Sequence, residues 1–472
     1  MKLTPSILLF TLALLIAGCA HYQVNAPLST VNAGAGYRFQ NSAQTNSDDL
    51  MLVLAFSGGG MRASTLSYGV LKELKQTEVG APGTLHPLLD DVSLISSVSG
   101  GSFTAAYYAL WGDRTFVDFE PCFLKKRVQT GLLLQVLAPW NQIRLASPKF
   151  DRSDLAAEYY DHLLFKCATF GDLETNTRRP FLSLNTTDIA SGARFEFTQD
   201  EFDLLRSDLS QFPISRAVAA SSAFPVYLTP VVLKNYSAGR PAPEPNWTKS
   251  ILEDPAASSR MKYVAMQAQS YTDEHRRFVH LLDGGLSDNL GLRGALDRAI
   301  AREQSTDVPS VPAKLPRRVA IIVVDAHTES DYGWDSKEGY RGLGAIIGSV
   351  GQVSLSHYSF ETVELFREVM ARLSRERAGS GDSNAPEIST YVIELQFHQL
   401  PDKSDRQFFN SVPTSLQLPP KTIDRLRGLA ARELADNEEF KRLLRDLGRE
   451  PGKSDSTDRR PSLTSVQTRN SN

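Results

Sequence analysis

Apolar runs of strand length recur at 51–56 (MLVLAF), 92–97 (VSLISS), 181–186 (FLSLNT), 278–282 (FVHLL) and 318–325 (RVAIIVVD). Between several of them the apolar positions return at helical spacing, as in 62–76, 102–111 and 289–303. Uninterrupted apolar strands separated by helices predict a mostly parallel sheet covered on both faces, an α/β fold. Three of the strands end in glycine turns that open helices: SGGG at 57–60, SGG at 99–101 and DGG at 283–285. Open α/β sheets bind ligands at the carboxyl ends of their strands, so three such turns predict one shared crevice.

The pattern changes at both ends of the chain. Lys2, an apolar run over 7–17 and then Gly18-Cys19 have the order and length of a secretory signal, and the run is too short to span a bilayer. Ile16-Ala17-Gly18-Cys19 resembles the lipobox of bacterial lipoproteins. That implies a signal peptide of residues 1–18, lipidation of Cys19 and anchoring at a membrane surface; an ordinary signal with a chance cysteine is the alternative. Ala20, where an aspartate would imply inner-membrane retention, favours the outer membrane of a bacterial envelope. Residues 20–48 are polar and read as a tether. A globular domain is expected over 49–330, with a Pro- and Ser-rich surface insertion at about 234–262. An extension over 331–449 packs on the same domain, and 450–472 form a disordered polar tail. Residues 420–448 fit an exposed amphipathic helix.

With 472 residues, 41% hydrophobic content and a net charge of −3, the chain can bury a large core and has no basic stripe for nucleic acid. The eight histidines are scattered, with no HExxH and no CxxC, so neither a metal nor another cofactor is expected. Beyond Cys19 only Cys122 and Cys167 remain, and a disulfide and two free thiols are both open. Two stretches are unusually apolar, 128–140 (VQTGLLLQVLAPW) and 342–355 (GLGAIIGSVGQVSL). Core or lid packing is the first reading; the other is a surface that rests on lipid with Trp140 at the headgroup level.

The glycine turns carry the candidate chemistry. Ser99, between an apolar strand and a helix, has the setting of a nucleophile that a tight turn exposes. Acyl transfer also needs donors aimed at an oxyanion, and the backbone N–H groups of Gly58, Gly59 and Gly60 at a helix start can supply them. A phosphate-binding loop is disfavoured because the Lys-Ser/Thr pair is missing after these glycines. Arg62, one turn into the helix, can meet a phosphate or carboxylate of a substrate, or serve in a structural ion pair. Asp283, at a strand end before two glycines, is the candidate base, with Asp325 as a rival. A conventional triad would draw its histidine from His327 or His357.

These residues resemble the patatin-like phospholipases and their relatives, the cytosolic phospholipases A. The resemblance covers SGGGMR, SVSGG, LNTTDIASGARFEFT (184–198), SRAVAASSAFPVYLTPV (215–231) and DGG, in order, from 51 to about 300. It implies a three-layer α/β/α fold with insertions, Ser99 as nucleophile, Asp283 as a base acting without histidine, and Gly58 to Gly60 as oxyanion hole. It also implies that Arg62 assists with the substrate's phosphate. Ser97 stands where the family's turn has its first glycine. The activity implied is a membrane-anchored lipid acyl hydrolase of phospholipase A type, working through an acyl-enzyme. An esterase or thioesterase on soluble acyl esters, and a non-catalytic lipid-binding envelope lipoprotein, are the alternatives.

Overall fold

A computed structural model describes residues 25–42, 49–81, 83–176, 179–225, 227–241, 247–303, 316–328, 358–375 and 388–448. The signal, Cys19, the second apolar stretch (342–355), His357 and the polar tail lie outside the described residues. The core is an eight-stranded sheet. Its strands are β1 (Leu50–Phe56), β2 (Val92–Val98), β3 (Phe181–Asp188), β4 (Arg194–Glu196), β5 (Val231–Lys234), β6 (Phe278–Asp283), β7 (Arg318–Asp325) and β8 (Ser389–Gln396). They lie side by side in the order β8-β7-β1-β2-β3-β6-β5, with β4 paired to β3. The pairs from β8 to β3 are parallel, whereas β6 is antiparallel to both β3 and β5.

The apolar runs foretold this burial: every residue of β2 and β3 is buried, because helices cover both faces. On one face lie α1 (Met61–Gln76), α2 (Gly100–Trp111) and, against α1, the later helix α8 (Pro420–Asp436). Gly69 permits that last contact, since a β-carbon there would come within 2.8 Å of the Arg427 carbonyl and Ala430. On the other face, Met51, Val53, Val319 and Ile321 surround a small gap with Ala295 and Ala299 of α7 (Arg293–Glu303) and with Phe366 and Met370 from the helical residues 358–375. This is the expected three-layer arrangement.

Four further helices bear on the site: α3 (Val128–Leu137), α4 (Pro139–Leu145), α5 (Arg152–Tyr160) and α6 (Ile214–Ser221). The surface insertion expected at about 234–262 follows directly on strand β5 and carries helices at Trp247–Glu253 and Ser259–Gln269. Residues 388–448 are integral to the domain, since β8 extends the sheet by pairing along the whole of β7. The helix expected over 420–448 is two, α8 and α9 (Glu438–Asp446), broken at Asn437, whose side chain caps the second by accepting from the Phe440 N–H at 3.0 Å. Neither is merely exposed: Ile423, Leu426, Leu429 and Leu434 of α8 are buried. Cys122 and Cys167 are both free.

Candidate active site

β2 ends at Val98 and α2 starts at Gly100, leaving Ser99 alone to turn the chain. Its φ of 49° and ψ of −117° lie in a region that residues with a β-carbon rarely enter, and such a residue persists only where its surroundings hold it. Ser221, at the end of α6, does the holding: its Oγ accepts from the Ser99 N–H at 3.0 Å, lies 2.9 Å from Ser102 Oγ and donates to the Asn185 carbonyl at 2.7 Å. Gly100 lets the turn close on the glycine loop, because a β-carbon there would fall 2.0 Å from the Gly60 carbonyl. Ser97 is in regular strand geometry with no positive φ, so the site of the family's first glycine accepts a side chain here.

Asp283 reaches Ser99 by an unexpected route. Two of the three glycine turns end parallel strands, but β6 runs antiparallel. It pairs with the extended end of β3, placing Asp283 opposite Thr186, one step from Asn185, which pairs with Val98 of β2. The strand therefore comes to the same level from the opposite direction. Ser99 Oγ donates to Asp283 Oδ2 at 2.7 Å, and Oδ1 accepts the Gly285 N–H at 2.9 Å. The Asp283 backbone is fixed by its N–H to the Ala223 carbonyl at 3.1 Å and by Thr187 Oγ1 donating to its carbonyl at 2.9 Å. Burial pushes the carboxyl from 3.8 up to about 6, against the opposing pull of the Gly285 and Ser99 bonds. It is thus mostly ionised at neutral pH and more basic than an exposed aspartate.

A hydroxyl has one proton to donate, and Ser99 gives it to the carboxylate that in a triad would face a histidine. His327 lines the same cavity without taking that place. Asp325 is occupied two residues on, accepting the His327 N–H at 2.8 Å.

The glycine loop divides its labour. Gly58 donates its N–H to the Asn289 carbonyl at 3.0 Å, so that group is not available to an oxyanion as the sequence suggested. Among the described residues the N–H groups of Gly59 and Gly60 have no such acceptor, and both glycines line the cavity beside Ser99. Their φ values of 136° and 61° are ones side chains rarely adopt, and α1 begins immediately after, directing the positive end of its dipole at the loop.

Arg62 is buried, 2% exposed. Its Nε donates to the Ala326 carbonyl at 2.6 Å, one Nη to the Val412 carbonyl, and the other to Thr414 Oγ1 at 3.2 Å. Burial lowers it to about 10, with the Asp325 charge acting the other way, so it keeps its charge at neutral pH. Two of these partners belong to a strap, residues 412–417, that no motif announced. The Met61 N–H donates to the Ser415 carbonyl at 2.7 Å, while Ser415 Oγ donates to Gln129 Oε1 of α3 at 2.7 Å. The strap therefore joins the glycine loop to α3. Among positions the sequence reading left without a role, Ser221 and Asn289 lie in or beside recognised motifs, but Ser415 has no local signal.

Ser99 and Asp283 open into a cavity of about 750 Å³ whose walls include Leu132, Leu133, Val136, Leu155 and Leu228. It is mostly apolar, and Gly58, Gly59 and Gly60 line it beside Ser99 and Asp283. Among the described residues no cluster of His, Cys, Asp or Glu is placed to hold a metal.

Among solved structures, human GIVD cytosolic phospholipase A2 is 13% identical, with a TM-score of 0.46 over 84% of this chain and 62% of that one. The same enzyme in complex with methyl gamma-linolenyl fluorophosphonate is 14% identical, with a TM-score of 0.41 over 85% and 59%. The chain thus spans less than two thirds of that protein. No curated protein matches it. The model of the patatin-like phospholipases matches residues 54–296, more than half of the 472 residues and the stretch that holds the glycine loop, Ser99 and Asp283. The chain belongs to the patatin-like phospholipase family.

Proposed function

We propose that this protein is a lipid acyl hydrolase that cleaves carboxylic esters of phospholipids with a Ser99-Asp283 dyad. The observation that carries the reading is the 2.7 Å bond from Ser99 Oγ to a buried, basic carboxylate at the end of an apolar cavity. Ser99 Oγ attacks the ester carbonyl carbon while its proton passes to Asp283 Oδ2. The N–H groups of Gly59 and Gly60 stabilise the resulting oxyanion, and the positive end of α1 and the Arg62 charge raise the potential around them. Collapse breaks the bond to the leaving alcohol oxygen, which takes the proton back from Asp283 and leaves Ser99 acylated. Water then attacks the acyl-enzyme, gives a proton to Asp283 and releases the fatty acid, and Ser99 recovers its proton. No step calls for a metal or another cofactor. The apolar walls suit an acyl chain.

Lipidation of Cys19 would hold the enzyme at a bacterial envelope membrane, with the outer membrane favoured by Ala20. The effective substrate concentration rises with no new contact. Labelled fatty acid should then be incorporated into the wild-type protein and not into Cys19→Ser, and no incorporation into the wild type would remove the lipid anchor from the reading.

Fatty acid release from phospholipid vesicles tests the function, with Ser99→Ala and Asp283→Asn alongside and fluorophosphonate labelling of Ser99 as a second readout. Loss of release in both variants is the expected result. Labelling with no release from any lipid would point to a soluble ester, and neither labelling nor release would overturn the proposal.

A further inference from the structure

Half of the large apolar side chains left exposed among the described residues, eight of sixteen, gather at the mouth of the cavity. Helix α3 has apolar residues on every side. Leu132, Leu133 and Val136 face the cavity, while Leu134 and Leu137 point away from it and are 62% and 61% exposed. On α4, Trp140 is 61% exposed and Ile143 50%. Phe224 and Tyr227, from the segment after α6, and Leu286, from the short helix Gly285–Asp288, complete the rim, and each is both exposed and part of the cavity lining. A helix with apolar residues on every side is expected to be covered on all sides, and an exposed patch of this kind marks a docking surface.

The charges around the patch identify the occupant. Residues 128–143 contain no charged side chain, yet the exposed Lys126 and Arg127 stand before them and the exposed Lys149 after, with Asp151 the one acidic residue between 125 and 152; Lys125 and Arg144, also at the border, are engaged by Glu120 and Asp424 and by Glu158. Apolar side chains bordered by cations, with an exposed Trp among them, match the interface of an anionic bilayer, where rings sit at headgroup level and cations meet phosphates. A protein seated here would seal the cavity, whereas a bilayer would open it to substrate. No described helix is long and apolar enough to cross a membrane, so the geometry is that of short helices lying in the interface plane.

We infer that α3, α4 and the Phe224, Tyr227 and Leu286 rim form a docking face for anionic phospholipid bilayers, through which substrate enters the cavity. This deepens the hydrolase reading and rests on it. Flotation of the full chain carrying Cys19→Ser and Ser99→Ala, which removes both the lipid anchor and turnover, with phosphatidylcholine vesicles, with and without phosphatidylglycerol, measures docking by this face alone. Stronger binding with phosphatidylglycerol, weakened by salt, is expected. Leu134→Glu and Trp140→Glu, outside the cavity lining, each forfeit an apolar contact and should weaken binding by roughly tenfold or more. Vesicle hydrolysis by the otherwise wild-type protein should fall in parallel, while hydrolysis of a soluble short-chain ester stays unchanged and certifies the fold. Unchanged vesicle hydrolysis in both variants, or no flotation with either vesicle, would overturn the inference. So would a wild-type dimer that both substitutions dissociate, which would assign the face to a second copy. Absence of soluble-ester hydrolysis in the wild type would instead defeat the hydrolase reading, and flotation would still decide the docking face.

Discussion

Replacing Asp283 by Asn should abolish activity and make the fold more stable, by an amount that depends on pH. In the folded chain the carboxyl rises from 3.8 to about 6 because burial disfavours its charged form. At about 1.36 kcal/mol per pH unit, the ionised carboxylate costs the fold on the order of 3 kcal/mol. The sign follows from proton counting: between 3.8 and about 6 the folded chain holds a proton that the unfolded chain has released, so stability falls as pH rises through that window. Asn has nearly the same shape and no charge to desolvate. Its Oδ1 can still accept from Gly285 and its Nδ2 can donate to Ser99 Oγ, so both bonds at the site keep a partner.

Urea unfolding of wild type and Asp283→Asn at intervals from pH 4 to pH 8 measures the difference. The advantage of the variant should grow by roughly 2.5 kcal/mol across the interval, since part of the cost is already present at pH 4, and level off above about pH 7. A difference that does not change with pH would show that burial does not raise this carboxyl. A variant that loses ground as pH rises would show that the carboxylate stabilises the fold, and a base poised by desolvation could not then be the source of reactivity.

Three further outcomes follow from the same geometry. For a soluble ester, kcat/KM should fall about tenfold per pH unit below about 6, where Asp283 takes up a proton, and should be flat above neutrality; a low-pH limb absent down to pH 4 would remove Asp283 as the base. Gly100→Ala sets a β-carbon 2.0 Å from the Gly60 carbonyl and must displace the glycine loop, so kcat should drop by roughly 10²-fold or more with a folded circular dichroism spectrum; near-normal turnover would show that the loop's position is unimportant. Arg62→Met strands the Val412 and Ala326 carbonyls, at about 1–3 kcal/mol each, and should lower the urea midpoint as well as kcat; a drop in substrate affinity alone, with stability intact, would favour a direct contact with substrate.

What the sequence disclosed, and what it withheld, divides along the distance over which each feature is specified. The central strands were legible because β2 and β3, buried on both faces, carry apolar residues in their first halves, while the buried Ser96, Ser97, Asn185 and Thr187 near their carboxyl ends serve the hydrogen bonds of the site. Ser99 and the glycine loop were legible because a strand, a sharp turn and a helix are local events, written in consecutive residues. Asp283 was found by its neighbours, Gly284 and Gly285, although the direction of its strand was not: a short apolar run reads the same whether it pairs in parallel or antiparallel, and only the register with β3 settles it.

The glycine loop shows the limit most clearly. Three glycines in a row look equivalent in sequence, yet Gly58 spends its N–H on Asn289, more than two hundred residues away, and only Gly59 and Gly60 remain as donors. Arg62 carries the motif's charge, but three of its donors are taken by Ala326, Val412 and Thr414, which no pattern near residue 62 could reveal. The Val412–Gln417 strap lies outside the matched family region and still supplies the Ser415 carbonyl that receives the Met61 N–H, as well as the link to Gln129 on the apolar helix at the cavity mouth. Seating that helix on a bilayer would therefore act on the same strap that holds the start of α1. Gln129→Ala together with Thr130→Val removes the acceptor shared by the Ser415 hydroxyl and the Leu416 N–H and the donor to Gln417, and keeps the Ser415 carbonyl on Met61. If docking and the glycine loop are coupled through the strap, this change should diminish the rate gained on vesicles over that on a soluble ester. An unchanged ratio would make the strap a passive wall.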